Sequence, residues 1–226
     1  MSHIGKSDSE LGLRVQKHLE SVGLATPVNG EQLRLPDEYK IDCIQQHMLE
    51  VLSILGLNLT DDSLCDTPAR LAKMYVKELF WGLDPEKFPK CTAIDNKMNY
   101  NNSFILEKNI TVHSSCEHHF VSLDVLASVA YIPDKKVLGL SKMNRIVQYF
   151  AKRPQVQERL TEQVAETLSF IAETPDVAVF IDAAHYCVKS RGIQDVNSST
   201  ITFAARGRFA DMDHPLRKEL LAAITK

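Results

Sequence analysis

Two strand-like runs, Ser103–His113 and Val121–Ile132, are separated by only seven residues. So short a link joins antiparallel neighbours, because a parallel pair needs a crossover of a dozen residues or more. The second run alternates through Val121, Leu123 and Val125, then Ala127, Val129 and Tyr131, the pattern of a strand with one buried face. The link carries Cys116-Glu117-His118-His119: a thiol, a carboxyl and two imidazoles that can bind metal or move protons. Any fold of this chain must therefore present that tetrad at the tip of a β-hairpin.

The rest of the chain surrounds the hairpin with helices. Leu11, Val15, Leu19 and Val22 form one stripe over residues 11–23, with Gly23 as a stop, and residues 25–36 read as a linker. From Asp37 to Leu55, Ile41, Ile44, Met48, Val51, Leu52 and Leu55 recur at helical spacing, and Asp66-Thr67-Pro68 opens a further helix to about Trp81. Ser141 is a candidate cap for a helix bearing Met143, Ile146, Val147 and Phe150. Pro154 is the expected opening of the next, with Val156, Leu160, Val164, Leu168 and Ile171. Val177–Lys189 and Ser198–Phe209 read as strands, and Pro215 begins a last helix. The order β-β-α-α-β-β behind helices predicts an α+β fold with an antiparallel sheet, divided into an N-terminal helical region, 1–92, and a second unit, 93–226.

The 226 residues suffice to bury a sizeable core, and a net charge of −3 excludes a generally basic nucleic-acid binder. No apolar run reaches membrane-spanning length. The first ten residues are polar and do not resemble a signal peptide. Five scattered cysteines suit a reducing, cytoplasmic setting. Cys43 reads as a small buried hydrophobe.

Cys116 and His119 form a C-x-x-H pair, a weak signal by itself. In His185-Tyr186-Cys187, the first and third residues would share one strand face, so Cys187 can supply a third ligand. Two thiolates and an imidazole suit zinc, with a position left for water. A closed structural site with His118 or His185 as fourth ligand, or a Cys116–Cys187 disulfide, fits the same residues. Of the remaining histidines, His47 and His113 read as structural and His3, His18 and His214 as exposed. Ser141-Lys142-Met143-Asn144-Arg145 offers free helix-start N–H groups and two cations for an anion, or simply a solvated basic turn. Arg191 falls four residues after Cys187, and Arg70 is a further cation or a surface charge. Gln157-Glu158 sits in a first helical turn, where the carboxylate is stabilised by the helix dipole. It could equally accept from the paired N1–H and N2–H donors of a guanine.

Several stretches together resemble one family. Cys116-Glu117-His118-His119-Phe120, Tyr131-Ile132-Pro133, Gly139-Leu140-Ser141-Lys142, Arg145-Ile146-Val147, the run Arg153-Pro154-Gln155-Val156-Gln157-Glu158-Arg159-Leu160 and His185-Tyr186-Cys187-Val188-Lys189-Ser190-Arg191-Gly192 look like zinc-dependent GTP cyclohydrolase I, collinearly from about Asp37 to Phe209. The resemblance implies zinc (Zn2+) on Cys116, His119 and Cys187, and acid–base roles for His118 and His185, with Ser141 near the ribose or phosphates. It implies a guanine anchor at Glu158 with Gln157, and a triphosphate clamp of Lys142, Arg145, Arg191 and Arg70. It further implies the tunnelling fold and a homodecamer of two stacked pentamers with active sites between subunits. The implied reaction takes GTP and water to 7,8-dihydroneopterin triphosphate and formate, the first step towards tetrahydrofolate-type pterins.

The chain departs from the resemblance in places. Val125-Leu126 stands where many members have Gly-Lys, Ala69 where some have His, and Phe203, Arg206 and Arg208 interrupt a run usually richer in Thr and Ser. Two other readings compete: a noncatalytic, zinc-stabilised protein on the same fold, and a zinc hydrolase of another purine nucleotide. The first needs none of Glu158, His118, His185 or Arg191; the second would not need a guanine anchor.

Overall fold

The computed structural model describes residues 6–225, so the expectation for His3 falls outside it. Helix α1 (Ser9–Ser21) begins at Asp8, whose side chain accepts from Leu11 N at 3.0 Å. It buries Val15 and Leu19 and leaves Val22 exposed. Gly12 lets it lie against the turn at Pro85–Lys87: a Cβ there would stand 1.9 Å from Pro85 O. The expected linker holds a single helical turn, α2 (Gly30–Leu33). Helix α3 (Asp37–Ile54) buries only Ile41, while Ile54 and Leu55 are 85% and 70% exposed. Of the six apolar positions that predict this helix, Ile41 is buried, Ile44, Met48 and Leu52 are half-buried, and Val51 and Leu55 are exposed. Helix α4 (Thr67–Lys73), capped at Asp66 and with Pro68 in its first turn, widens into a π-helical turn, Met74–Leu79.

The centre is a five-stranded sheet in the order β5-β2-β3-β6-β7. A small two-stranded sheet pairs β1 (Ala93–Asp95) with β4 (Lys136–Leu138). The expected hairpin is β2 (Ile105–Cys116) and β3 (Ser122–Tyr131), antiparallel, with one extra residue in β2 between Glu107 and Ile110, where Asn109 takes φ +60°. Beyond β3 lie helix α5 (Leu140–Ala151), strand β5 (Pro154–Gln155), helix α6 (Gln157–Ala172) and strand β6 (Val177–His185). The turn α7 (Tyr186–Lys189), strand β7 (Thr200–Ala205) and helix α8 (Pro215–Thr225) complete the chain.

Three local expectations change. Gly139, not Ser141, caps α5, and Ser141 lies exposed inside its first turn. Pro154 does not open α6; with Gln155 it makes a two-residue strand parallel to the end of β2, and the helix starts at Gln157. The strand expected to run to Lys189 stops at His185, and Cys187 sits in the helical turn α7. Cys43 is half-buried rather than core, His47 is exposed, and His18 is half-buried against Glu166 at 2.7 Å and stacked on Phe170 at 4.5 Å.

Helices α5 and α6 cover one sheet face. Leu123, Val125, Ala127, Val129 and Tyr131 of β3 meet Leu160, Val164 and Leu168 of α6 in the same core that takes up Val15, Leu19, Trp81 and Phe88. Each of those three α6 side chains is fully buried and contributes about 1.5–3 kcal/mol by leaving water. On the other face α8 packs Leu216 and Leu220 over Ala130, Ala178 and Phe209, while Leu126 and Ile201 stay exposed. The departure at Val125-Leu126 thus splits in two: Val125 is core and Leu126 lies on the open face. Among the described residues no helix is long and apolar enough to cross a membrane.

Candidate metal centre and active site

Cys116 is the last residue of β2 and is 5% exposed. The chain reverses immediately after it. Cys116 N donates to Val121 O at 2.9 Å, Phe120 N donates to Cys116 O at 2.8 Å, and Phe120 takes φ +53°. Glu117 N is held by Gln155 O of β5 at 3.0 Å. The Glu117 carboxylate is forked by Arg159 of α6, at 2.6 Å from Nη1 and 3.3 Å from Nη2. Those hydrogen bonds hold its carboxyl below the ordinary value. Glu117 is therefore a strut between the turn and α6. Arg159 gave no sign of this in the sequence, where only its opposite charge to Glu117 hints at a partner. Phe120 lies against Tyr75 and Phe80, tying the turn to the helices before the sheet.

Cys187 arrives from α7. Its sulfur, that of Cys116 and an imidazole nitrogen of His119 all lie within 4.8 Å of one another. All five cysteines are free thiols, so the Cys116–Cys187 disulfide does not form. Burial, then the neighbouring Cys116, push the Cys187 thiol up. A tetrahedral zinc site needs donor separations of roughly 3.5–4 Å, so these donors fit a metal ion with a closing of at most about 1.3 Å. Arg191 Nη1 donates to His119 Nε2 at 2.8 Å. A guanidinium only donates, so that nitrogen carries a lone pair in this arrangement.

The other two imidazoles flank the triad. His118 is exposed, with Nδ1 3.7 Å from the Cys116 sulfur. His185, at the end of β6, is half-buried; desolvation lowers its pKa, opposed by the nearby Glu158 carboxylate. Glu158 is exposed in the first turn of α6, and among the described residues its carboxylate has no hydrogen-bonded partner. Gln157, beside it in sequence, is only 2% exposed and its amide is spent within the protein. Its Nε2 faces Thr200 O at 2.8 Å, Thr202 Oγ1 at 3.1 Å and Ile181 O at 3.2 Å, and its Oε1 lies 2.7 Å from His185 Nε2.

The remaining cations do not converge on this spot within one chain. Asn144 of α5 bonds Glu107 at 3.0 Å, near the start of β2. Ser141, Lys142 and Arg145 therefore sit toward the Glu107 end of the strand, away from the end that carries Cys116. Arg70, on α4, is exposed and reaches Asp66 at 3.4 Å.

The profile described as GTP cyclohydrolase I matches residues 44–225. The chain belongs to the GTP cyclohydrolase I family. It is 54% identical over 201 residues to the GTP cyclohydrolase 1 of Shewanella sp. (strain ANA-3), covering 89% of this chain and 92% of that relative. It is 55% identical to the GTP cyclohydrolase 1 of Shewanella amazonensis, with the same shares covered. A solved structure, the archaeosine synthase QueF-Like in the apo form, overlaps 46% of this chain and 94% of its own, at 20% identity and a TM-score of 0.39. In this member of the GTP cyclohydrolase I family, the hairpin tip, α7 and the first turn of α6 meet at one place, and the α5 cations lie at another.

Proposed function

We propose that the chain is a GTP cyclohydrolase I, taking GTP and water to 7,8-dihydroneopterin triphosphate and formate. The observation that carries this reading is the convergence of Cys116, His119 and Cys187 beside an acid–base imidazole, His185, and an exposed helix-start carboxylate, Glu158. A noncatalytic zinc protein would have no use for the last two.

Cys116, His119 and Cys187 would hold the zinc. When bound, the zinc supplies an acidified water at neutral pH. Glu158 accepts from guanine N1–H and N2–H and sets the purine edge. His185 moves a proton at N7 as the imidazole ring opens. His118, exposed on the same turn, serves the second hydrolysis that releases C8 as formate. Two waters are consumed and one is returned when the rearranged ribose carbons close the pterin ring. Ser141, Lys142 and Arg145, with Arg191 and Arg70, hold the ribose and triphosphate.

The separation of the α5 cations from the metal triad supports a site completed between copies, in a homodecamer of two stacked pentamers. The division at residue 92 then separates a helical assembly layer, 1–92, from a catalytic unit, 93–226, the two sharing one core. The proposed setting is the cytoplasm, where both thiols stay reduced. The test incubates the zinc-loaded chain with GTP and follows pterin and formate, beside ATP and a chelator. Pterin from GTP alone, abolished by the chelator, is the expected result; zinc-loaded chain that makes none overturns the reading.

A further inference from the structure

We propose that Gln157 is a positioning residue for His185, fixing which of its ring nitrogens carries the proton, and does not read the guanine. The inference rests on the cyclohydrolase reading for its kinetic consequence but not for its geometry.

A glutamine amide can be flipped without changing its shape, so its orientation must be read from its partners. Here the partners leave one choice. Two backbone carbonyls, Ile181 O and Thr200 O, face one end of the amide at 3.2 and 2.8 Å. Carbonyls only accept, so that end must be the NH2 group. The other end, 2.7 Å from His185 Nε2, is then the carbonyl oxygen, and it requires a hydrogen on Nε2. The neutral imidazole is thereby held as the Nε2–H form, with Nδ1 left as the lone-pair nitrogen.

Two hydroxyls lock the arrangement. Thr161 Oγ1 donates to Gln157 O at 2.8 Å. Its hydrogen is then used, so the 2.6 Å contact between Thr161 and Thr202 must be donated by Thr202. Thr202 in turn accepts from Gln157 Nε2 at 3.1 Å. The hydrogen bonds close a ring, Gln157 side chain to Thr202 to Thr161 to Gln157 backbone, and each bond in such a ring polarises the next. All of it lies where the start of α6 crosses β6 and β7, out of reach of solvent at Gln157. The neighbour Glu158 points outward, so one helix start divides its labour between an imidazole inside and a ligand outside.

Two measurements test this. In zinc-loaded chain labelled with 15N-imidazole histidine, solid-state NMR should show His185, identified by its loss in His185→Ala, with hydrogen on Nε2. Gln157→Leu should release that preference. Hydrogen on Nδ1, or a His185 signal unchanged in Gln157→Leu, overturns the proposal whether or not the chain turns over GTP. In GTP kinetics, Gln157→Leu should lower kcat by about 10²-fold, the order expected when a reacting group is misplaced, with KM within about twofold. The double variant with His185→Ala should be no slower than His185→Ala alone. A raised KM together with additive losses would return Gln157 to the guanine. Thr202→Val removes one restraint while keeping the acceptor for His185. It should cost about 2- to 10-fold in kcat with KM unchanged, and a raised KM there also counts against the proposal. Wild-type chain that makes no pterin would refute the cyclohydrolase reading and leave the spectrum to decide the role of Gln157.

Discussion

On the proposed assignment, a single chain carries the site in two separate pieces. The metal triad closes one end of β2, while Ser141, Lys142 and Arg145 stand by Glu107 at the other, nine residues back. At about 3.3 Å per residue the strand between them spans at most about 30 Å, so the two pieces stand at its opposite ends. The perturbation is to break each half in a separate chain, Cys187→Ser in one and Lys142→Ala with Arg145→Ala in the other. Each homo-oligomer should make almost no pterin, the first for want of metal and the second for want of a triphosphate clamp. Co-assembled in equal amounts, a site drawing one half from each of two chains receives both intact halves about one time in four, so about a quarter of wild-type activity should return. Pterin formation per subunit is the assay, with zinc content expected near half of wild type. A mixture no more active than the average of its parents would refute the reasoning and put both halves in one chain.

Cys187→Ser alone should lose metal and activity together by elemental analysis and pterin assay, and full metal retention would remove it from the ligand set. At Asp37, burial pushes the carboxyl up, but the hydrogen bonds and charges of Lys87 at 3.0 Å and Lys77 at 3.2 Å outweigh it and hold it below 3.8. A lowered native pKa means stability that is present above 3.8 and lost as pH falls through the native value. Asp37→Asn should therefore cost about 0.5–1 kcal/mol at neutral pH by denaturant titration, with the gap to wild type closing in acid. Gly12→Ala drives a methyl into Pro85 O and Phe88, and should destabilise the chain by about 1–3 kcal/mol in thermal or urea melts. An unchanged midpoint would show that α1 shifts freely on its support.

The parts legible in the sequence are those set by local periodicity. Alternation through Leu123–Tyr131 gives β3, and the i, i+4 spacing of Leu160, Val164 and Leu168 gives α6, because in both cases the buried face is the one that repeats. Tyr186-Cys187-Val188-Lys189 has strand-like composition yet forms a helical turn, since pairing with β3 ends at His185 opposite Leu123. Residue spacing placed Cys187 on the wrong element but near the right partners. Pro154-Gln155 is too short for any pattern to reveal; it exists only because Ser115 and Cys116 lie alongside it. The stripe of α3 was legible as a helix, but not that its C-terminal end at Val51 and Leu55 stays exposed, because periodicity reports that a face is apolar and not what covers it. The distance between Lys142 and Cys116 needs the tertiary path of β2, which no spacing in the chain encodes.

Gln155, whose carbonyl holds Glu117 N, donates its side chain to Phe150 O and Gln163 Oε1, both at 2.8 Å. Gln163 donates onward to Leu24 O at 2.7 Å and Thr26 Oγ1 at 3.1 Å, and the buried Arg153 reaches the same Thr26 hydroxyl at 3.1 Å. These amides work as a tether running from the hairpin tip to residues 24–26. A fragment trimmed past Thr26 would lose the acceptors of Gln163 and Arg153 together with the buried Val15 and Leu19, whose burial contributes about 1.5–3 kcal/mol each, against a folding margin of about 5–15 kcal/mol for a whole domain. Residues 24–26 thus act as a keystone: removing them should loosen the turn that carries Cys116 and His119, some ninety residues further along the chain.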